Sequence, residues 1–452
     1  MNAKQLFLIA IFLCVAVIVV LKPQEPVRAP LGTADLAAAL PDGLMRRQLI
    51  LSCTPCHQLK APSQNATVED WQATFATMRH IDGPQKYGTR LISDFDDTKM
   101  AQWLVESLKD AKPQLEQQFD EALVREYPFG PKGGFYHDME YVQGKAWVAD
   151  FFGNVLYGID PTSGEVQTFP YPHPEGKEAP MGAHTINKTR DGKLWITYLL
   201  TGQVALFDPK TGTFKFYGGL DPHSHVHSFA LSTFGYMAED AQGRIWITHF
   251  TEEYLSRLDP STGEIERFDL PHSDGFEPEQ VHPYAVSMDA QGRLWYTKLQ
   301  SNTLGVLDPK TGEVKEFYMP REWSGPRRLA IDTKGLLWIP EYTTNRLTVF
   351  DTASQAFVAS YPLPSNGDYP YALRINEQTD EVWLTGTGTD SVYRFNPTTK
   401  AFARYKLPSQ VAYSRMVTFD EAGNVWTVYG SFPNTFGSYK SGVMVKIEPV
   451  EN

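Results

Sequence analysis

Seven tryptophans constrain this chain more than any other feature. Trp147, Trp195, Trp246, Trp295, Trp338, Trp383 and Trp426 stand 43–51 residues apart, each in closely similar surroundings. A period of about 40–50 residues carried by strand-like segments is the signature of propeller blades. Around Trp295 the unit is explicit. Ala285–Met288 is followed by the turn Asp289-Ala-Gln-Gly292, then Arg293–Thr297, Thr303–Leu307, the turn Asp308–Gly312 and Glu313–Tyr318. That reads as four short strands joined by glycine-containing turns. Asp-Pro-x-x-Gly recurs at Asp160, Asp208, Asp259 and Asp308. There Asp caps the turn, Pro presets φ and Gly supplies a positive φ, so these residues are punctuation and not function.

The seventh unit lacks its outer strand, because the chain stops at Asn452 soon after Gly442–Ile447. Leu123–Phe129 has the pattern of the outer strands Ile265–Leu270 and Val314–Tyr318. It is therefore predicted to close blade seven and leave no open edge in the ring. The repeat makes one unit of residues 123–450. A chain of 452 residues with 42% hydrophobic content has enough apolar material for such a core. Its net charge of −12 and its lack of a basic run argue against a nucleic-acid partner.

Ahead of the repeats, Lys4 precedes sixteen unbroken apolar residues, Leu6–Leu21. One basic residue followed by such a run is an export segment. Residues 1–22 are expected to act as an uncleaved membrane anchor, or else as a signal peptide removed after Ala29. Either outcome places the body of the protein in the periplasm, tethered to the inner membrane by residues 6–21 or released if cleaved. Residues 23–40, rich in Pro and Ala, read as a linker.

Three cysteines exclude a disulfide scaffold. Cys14 lies inside the apolar run, and the other two form Cys53-Thr54-Pro55-Cys56-His57. C-x-x-C-H is the attachment signature of a c-type haem. Two thiols three residues apart can each bond one haem vinyl group, and the adjacent imidazole reaches the iron. A zinc site would need a second cysteine pair, and a thioredoxin-like dithiol would need a βαβ context, whereas Leu44–Leu51 reads as a short amphipathic helix. The surroundings, residues 41–112, resemble a small all-α class I cytochrome c domain. One helix leads into the motif, a second spans Val68–His80, and a third, Asp96–Leu108, is capped by Asp96 or Asp97. That resemblance implies covalent haem c on Cys53 and Cys56, with His57 as proximal ligand. Met78, seven residues after Trp71, is the first choice for the distal iron ligand; His80 and Met100 compete, with Met100 at core spacing.

The blade text, such as Gly243-Arg-Ile-Trp-Ile-Thr248 followed by Leu255-Ser-Arg-Leu-Asp259, resembles the virginiamycin B (streptogramin B) lyase family over about residues 123–450. The resemblance implies a seven-bladed propeller. It also implies a Mg²⁺-dependent C–O lyase using a histidine and a glutamate. His184, in Ala183-His-Thr-Ile186, and Glu341, three residues after Trp338, are the matching positions. His184 lacks the family's preceding proline, and Glu341 belongs to a different blade. Residues entering each first strand (His137, His184, Tyr284, Arg327, Arg328, Tyr371, Arg415) are expected to converge on the central channel. The ring three residues beyond each tryptophan (Asp150, His249, Lys298, Glu341) is expected to join them. Together they would form either a salt-bridged channel mouth or a pocket for a small polar ligand. The insertion His223-Ser-His-Val-His227 could hold a metal on one strand face, or be a polar loop.

The expected architecture is mainly β: a seven-bladed propeller, a small all-α cytochrome c domain and an N-terminal hydrophobic helix. The function expected first is electron transfer by an exported monohaem cytochrome to or from a periplasmic or membrane redox partner. A Mg²⁺-dependent lyase with an appended haem is one alternative. A propeller that only docks the cytochrome to a partner is the other.

Overall fold

The computed structural model describes residues 33–54, 58–59, 61–62, 66–82, 95–109, 119–131, 134–172, 180–218, 234–250, 252–409, 412–430 and 441–450. The apolar segment 6–21, Cys56, His57 and the histidines of 223–227 lie outside them. Among the described residues no helix is long and apolar enough to cross a membrane.

Seven four-stranded antiparallel sheets make the propeller. The first strand of each blade touches the first strands of both neighbours, so the seven close into a ring around a central axis. The last strand of the propeller is joined to the strand that precedes its first blade, as predicted. Ala122–Phe129 pairs antiparallel with Gly442–Pro449, running from Ala122 opposite Pro449 to Phe129 opposite Gly442. Every outer strand but this one follows its own blade in sequence.

The repeated tryptophans are all buried, with Trp246 and Trp295 fully so. They pack between blades: Trp295 lies against Phe350 of the next blade, and Trp147 against Phe207. In blades three, four, five and seven the indole N–H also donates to an aspartate six residues earlier. The distances are 3.3 Å for Asp240, 2.8 Å for Asp289, 2.9 Å for Asp332 and 2.9 Å for Asp420. The other oxygen of each carboxylate caps the intervening Asp-x-x-Gly turn, as where Asp289 accepts from the backbone of Gln291 and Arg293. One carboxylate thus couples the turn to the inter-blade packing and satisfies a buried indole donor.

Among the described residues four helices precede the propeller: Thr33–Ala39, Leu44–Cys53, Val68–Asp82 and Asp97–Leu108. The first occupies part of the stretch read as linker. Asp96 caps the last one, its side chain accepting from the Lys99 N–H. Leu36, Leu40, Leu49, Trp71, Phe75, Met100 and Leu104 form their common core. Met100, one of the competing iron ligands, is 1% exposed in that core.

Candidate functional site at the channel mouth

The helix Leu44–Cys53 ends on the C-x-x-C-H motif. Thr54, its C-cap, returns its N–H to the Ile50 carbonyl at 3.2 Å and its hydroxyl to the same oxygen at 2.5 Å. This residue is completely buried, and what buries it is the propeller. The Tyr342 hydroxyl lies 2.7 Å from Thr54 Oγ1 and donates to the Thr54 carbonyl at 2.9 Å. Tyr413 donates to the same carbonyl, and the two phenols are 2.9 Å apart. Two phenolic protons are therefore shared over one carbonyl inside the heptad of blades.

The docking extends outward from Thr54. Gln58 donates to the Thr387 carbonyl at 2.7 Å and to Asp390 at 2.8 Å, and the Leu59 N–H to the Tyr369 hydroxyl at 3.1 Å. Arg46 reaches the Asn366 carbonyl at 3.0 Å, and Arg47 the Glu322 carbonyl at 3.0 Å. Ala37, Ile50 and Leu51 belong to one apolar cluster with Tyr284, Tyr342, Tyr369, Tyr371 and Tyr413 of the propeller. At Gly325, with φ +62°, a Cβ would come within 3.2 Å of Leu51, so glycine permits the close approach.

Directly beneath Thr54 the channel is lined by arginine and aromatic rings. The Arg327 guanidinium lies 3.9 Å from the Tyr342 ring centroid, 4.2 Å from Tyr371 and 5.3 Å from Tyr284. It donates to the Tyr284 hydroxyl at 3.0 Å, which in turn donates to Tyr371 at 2.7 Å. Arg415 lies over Tyr413 and Phe135, at 4.2 and 4.6 Å. Arg328 pairs with buried Asp138 at 3.3 Å. The His137 and His184 rings stack with centroids 3.8 Å apart. His137 Nδ1 is 3.0 Å from the His184 carbonyl.

Burial, and then the nearby guanidiniums Arg328, Arg415 and Arg327, push His184 down to about 3. His137 is held well below the usual histidine range by burial, by His184 and by Arg415 and Arg328. Both imidazoles are consequently neutral at physiological pH. His184 is only half-buried, yet burial still dominates its titration. Asp138 is pushed up to about 6 by burial, against the pull of Arg328 and Arg374.

The first-strand residues therefore meet as expected. The ring three residues past each tryptophan does not join them, which corrects that expectation. Glu341 accepts from Arg321 at 3.0 Å and from Thr344 and Thr348. Lys298 is held by Glu316 at 2.8 Å and the Pro271 carbonyl at 2.6 Å. His249 is 2.7 Å from Ser256 Oγ, and Asp150 accepts from the Phe152 and Gly153 N–H groups at 3.2 and 3.0 Å. These are strand-end side chains directed into the blades. His184 and Glu341 accordingly sit in separate networks, one in the channel and one beside Arg321.

In the helical domain Cys53 is half-buried and packs against the apolar cluster containing Trp71, Phe75 and Met100. Burial pushes its thiol up to about 12, with Arg79 and Asp97, themselves paired at 2.6 Å, acting more weakly. Met78 precedes Arg79 on the helix Val68–Asp82 and is half-buried. The Cys53 thiol, neutral and packed against an apolar cluster, fits the attachment point of a haem c. Cys56, His57 and the His80 side chain lie outside the described residues. Sequence reasoning missed Thr54, Tyr342 and Tyr413. Their only signal was the recurrence of tyrosine in loops near the strand starts.

The class defined by this fold is the seven-bladed β-propeller, here capped by a helical domain. The family model described as the Virginiamycin B lyase family matches residues 217–431. The propeller is similar to a structure described as streptogramin B lyase, at 21% identity and a TM-score of 0.60 over 73% of this chain and 98% of that one. It is likewise similar to virginiamycin B lyase from Staphylococcus aureus, at 18% identity and a TM-score of 0.60, over 73% of this chain and all of that one. A catalytically inactive variant of that enzyme with quinupristin aligns equally well. No curated protein matches the chain. Likeness at this level establishes the fold and leaves the chemistry to the site.

Proposed function

We propose that the chain is an exported, membrane-tethered monohaem c-type cytochrome whose propeller holds the haem domain over its central channel. The segment 6–21 would serve as the tether. Cys53 and Cys56 would carry the haem covalently, with His57 and Met78 as axial ligands, and its partner would be a periplasmic or membrane redox protein. When bound, the haem supplies a one-electron iron couple. The protein's own contribution is placement and exclusion of water. Trp71, Phe75 and Leu104 provide an apolar wall beside Cys53. The Met78 thioether would raise the potential relative to a second imidazole.

The observation that carries this reading is Thr54. A residue inside the attachment motif is wholly buried and tied by two tyrosines to the propeller's axis. That leaves the motif little freedom to move relative to the channel. Expression with cytochrome c maturation machinery should give one covalent haem per chain in a pyridine haemochrome spectrum, lost in the Cys53→Ser/Cys56→Ser variant. A wild-type chain without covalent haem would sink the reading. Met78→Ala should lower the reduction potential and remove the near-infrared thioether band.

A second reading, a Mg²⁺-dependent C–O lyase with the haem as an appendage, is favoured by the family-model match over 217–431. It requires ester elimination that survives loss of Cys53 and Cys56 and disappears in His184→Ala. The separate surroundings of His184 and Glu341 weigh against their working as one acid–base pair.

A further inference from the structure

We propose that the propeller channel beneath Thr54 is a binding site for a small oxyanion, a carboxylate or an inorganic anion of similar size, held by Arg327 together with Arg415. The proposal does not depend on the haem reading.

Its first support is the local charge. Arg327, Arg328 and Arg415 are 2%, 6% and 5% exposed and line one channel. Among the described residues the carboxylate facing them is Asp138, and it is bonded to Arg328. A buried guanidinium without a counter-charge is costly, and proteins normally pair such groups. Arg327 is in that position. Its neighbours are the faces of Tyr342, Tyr371 and Tyr284, and its polar partner is the Tyr284 phenol. Among the described residues Arg327 Nε finds no hydrogen-bond acceptor.

The second support is geometric. Aromatic faces over a guanidinium leave its edge, the planar fork of N–H donors, for a ligand. That fork matches carboxylate and other oxyanions in a bidentate manner. Beside it, His184 and Phe135 of the channel residues named retain accessible surface, and His184 lies within the electrostatic reach of all three guanidiniums. Burial above all, with these guanidiniums adding to it, keeps both neighbouring imidazoles neutral, so they add no positive charge, and the guanidiniums themselves attract an anion.

The test is titration calorimetry of the full chain with sodium acetate and with inorganic phosphate at constant ionic strength. Saturable binding of one anion per chain is expected. Arg327→Lys keeps the cation within the tyrosines but loses the fork, and should weaken binding at least tenfold. Arg327→Gln should abolish it, and Arg415→Gln should weaken it. No saturable binding of either anion by the wild-type chain would overturn the proposal, as would unchanged affinity in Arg327→Lys. If Arg327→Gln does not fold, the lysine variant decides. Covalent haem is read separately by its spectrum, so the two failures are distinguishable.

Discussion

Two sets of buried charges in one propeller behave in opposite ways. At the strand ends of blades four and five, buried charges have their complements: Lys298 meets Glu316 at 2.8 Å and Glu253 at 3.5 Å, and Glu341 meets Arg321 at 3.0 Å. In the channel, among the described residues, three guanidiniums meet one carboxylate and a series of aromatic faces. The first arrangement is complete within the chain and serves to hold strands in register. The second is left with an unfilled donor, Arg327 Nε, and lies directly under Thr54. Closed networks belong to the scaffold, whereas an incomplete one at the axis marks where a ligand can complete it.

The comparison can be broken most severely at the ring closure. Deleting residues 122–129 would expose the strand Gly442–Pro449 as a free edge, and loss of soluble monomer on size-exclusion chromatography is expected. Within the blades, Lys298→Ala would strand Glu253 and Glu316. A stability loss of about 3–5 kcal/mol in denaturant unfolding is expected, with anion affinity unchanged where folded protein remains.

Acid should act on both regions. An unfolded imidazole titrates near 6.5, while His184 and His249 remain neutral in the fold down to about 3. The unfolded chain therefore takes up protons first. Stability present above pH 6.5 should drain as pH falls towards 3, with no contribution to the pH dependence from these groups above that window. His249→Gln should remove the blade's share and flatten the dependence of unfolding on pH; an unchanged slope would show that this histidine is accessible to protons.

The smallest effect is expected at the docking contact. Tyr342→Phe removes the hydrogen bonds to Thr54 while keeping the ring over Arg327. It should cost about 0.5–1.5 kcal/mol, and faster hydrogen exchange near Thr54 should report the loosened contact.

Much of this fold is legible in the order of the amino acids. Each repeated tryptophan marks a blade, and Leu123–Phe129 falls to blade seven because the last repeat lacks the outer strand that it resembles. The Asp-x-x-Gly turn is visible too, but its bond to the indole six residues later is not. The misplaced ring has a simple physical cause. Blades radiate from the axis, and side chains of second strands stand perpendicular to their sheets. Glu341 and Lys298 therefore find partners within or beside their own sheets, Thr348 and Glu316 among them, while first strands and their leading loops border the axis. Docking of the helical domain escapes sequence reading for another reason. Tyr342 and Tyr413 lie 288 and 359 residues from Thr54, and no periodicity connects them.

By itself the sequence determined what repeats: the number of blades, the turns, the strand that closes the ring and the cysteine motif. Those follow from local spacing, because each blade is built from neighbouring residues and the motif is read within five positions. Only the tertiary structure decided what meets at the axis. There, loops from different blades and one residue of the helical domain are brought together by ring closure, and their charges acquire meaning from neighbours that are remote in the chain. The position of Thr54 over Arg327 and its tyrosines is a property of the closed ring and not of any one segment.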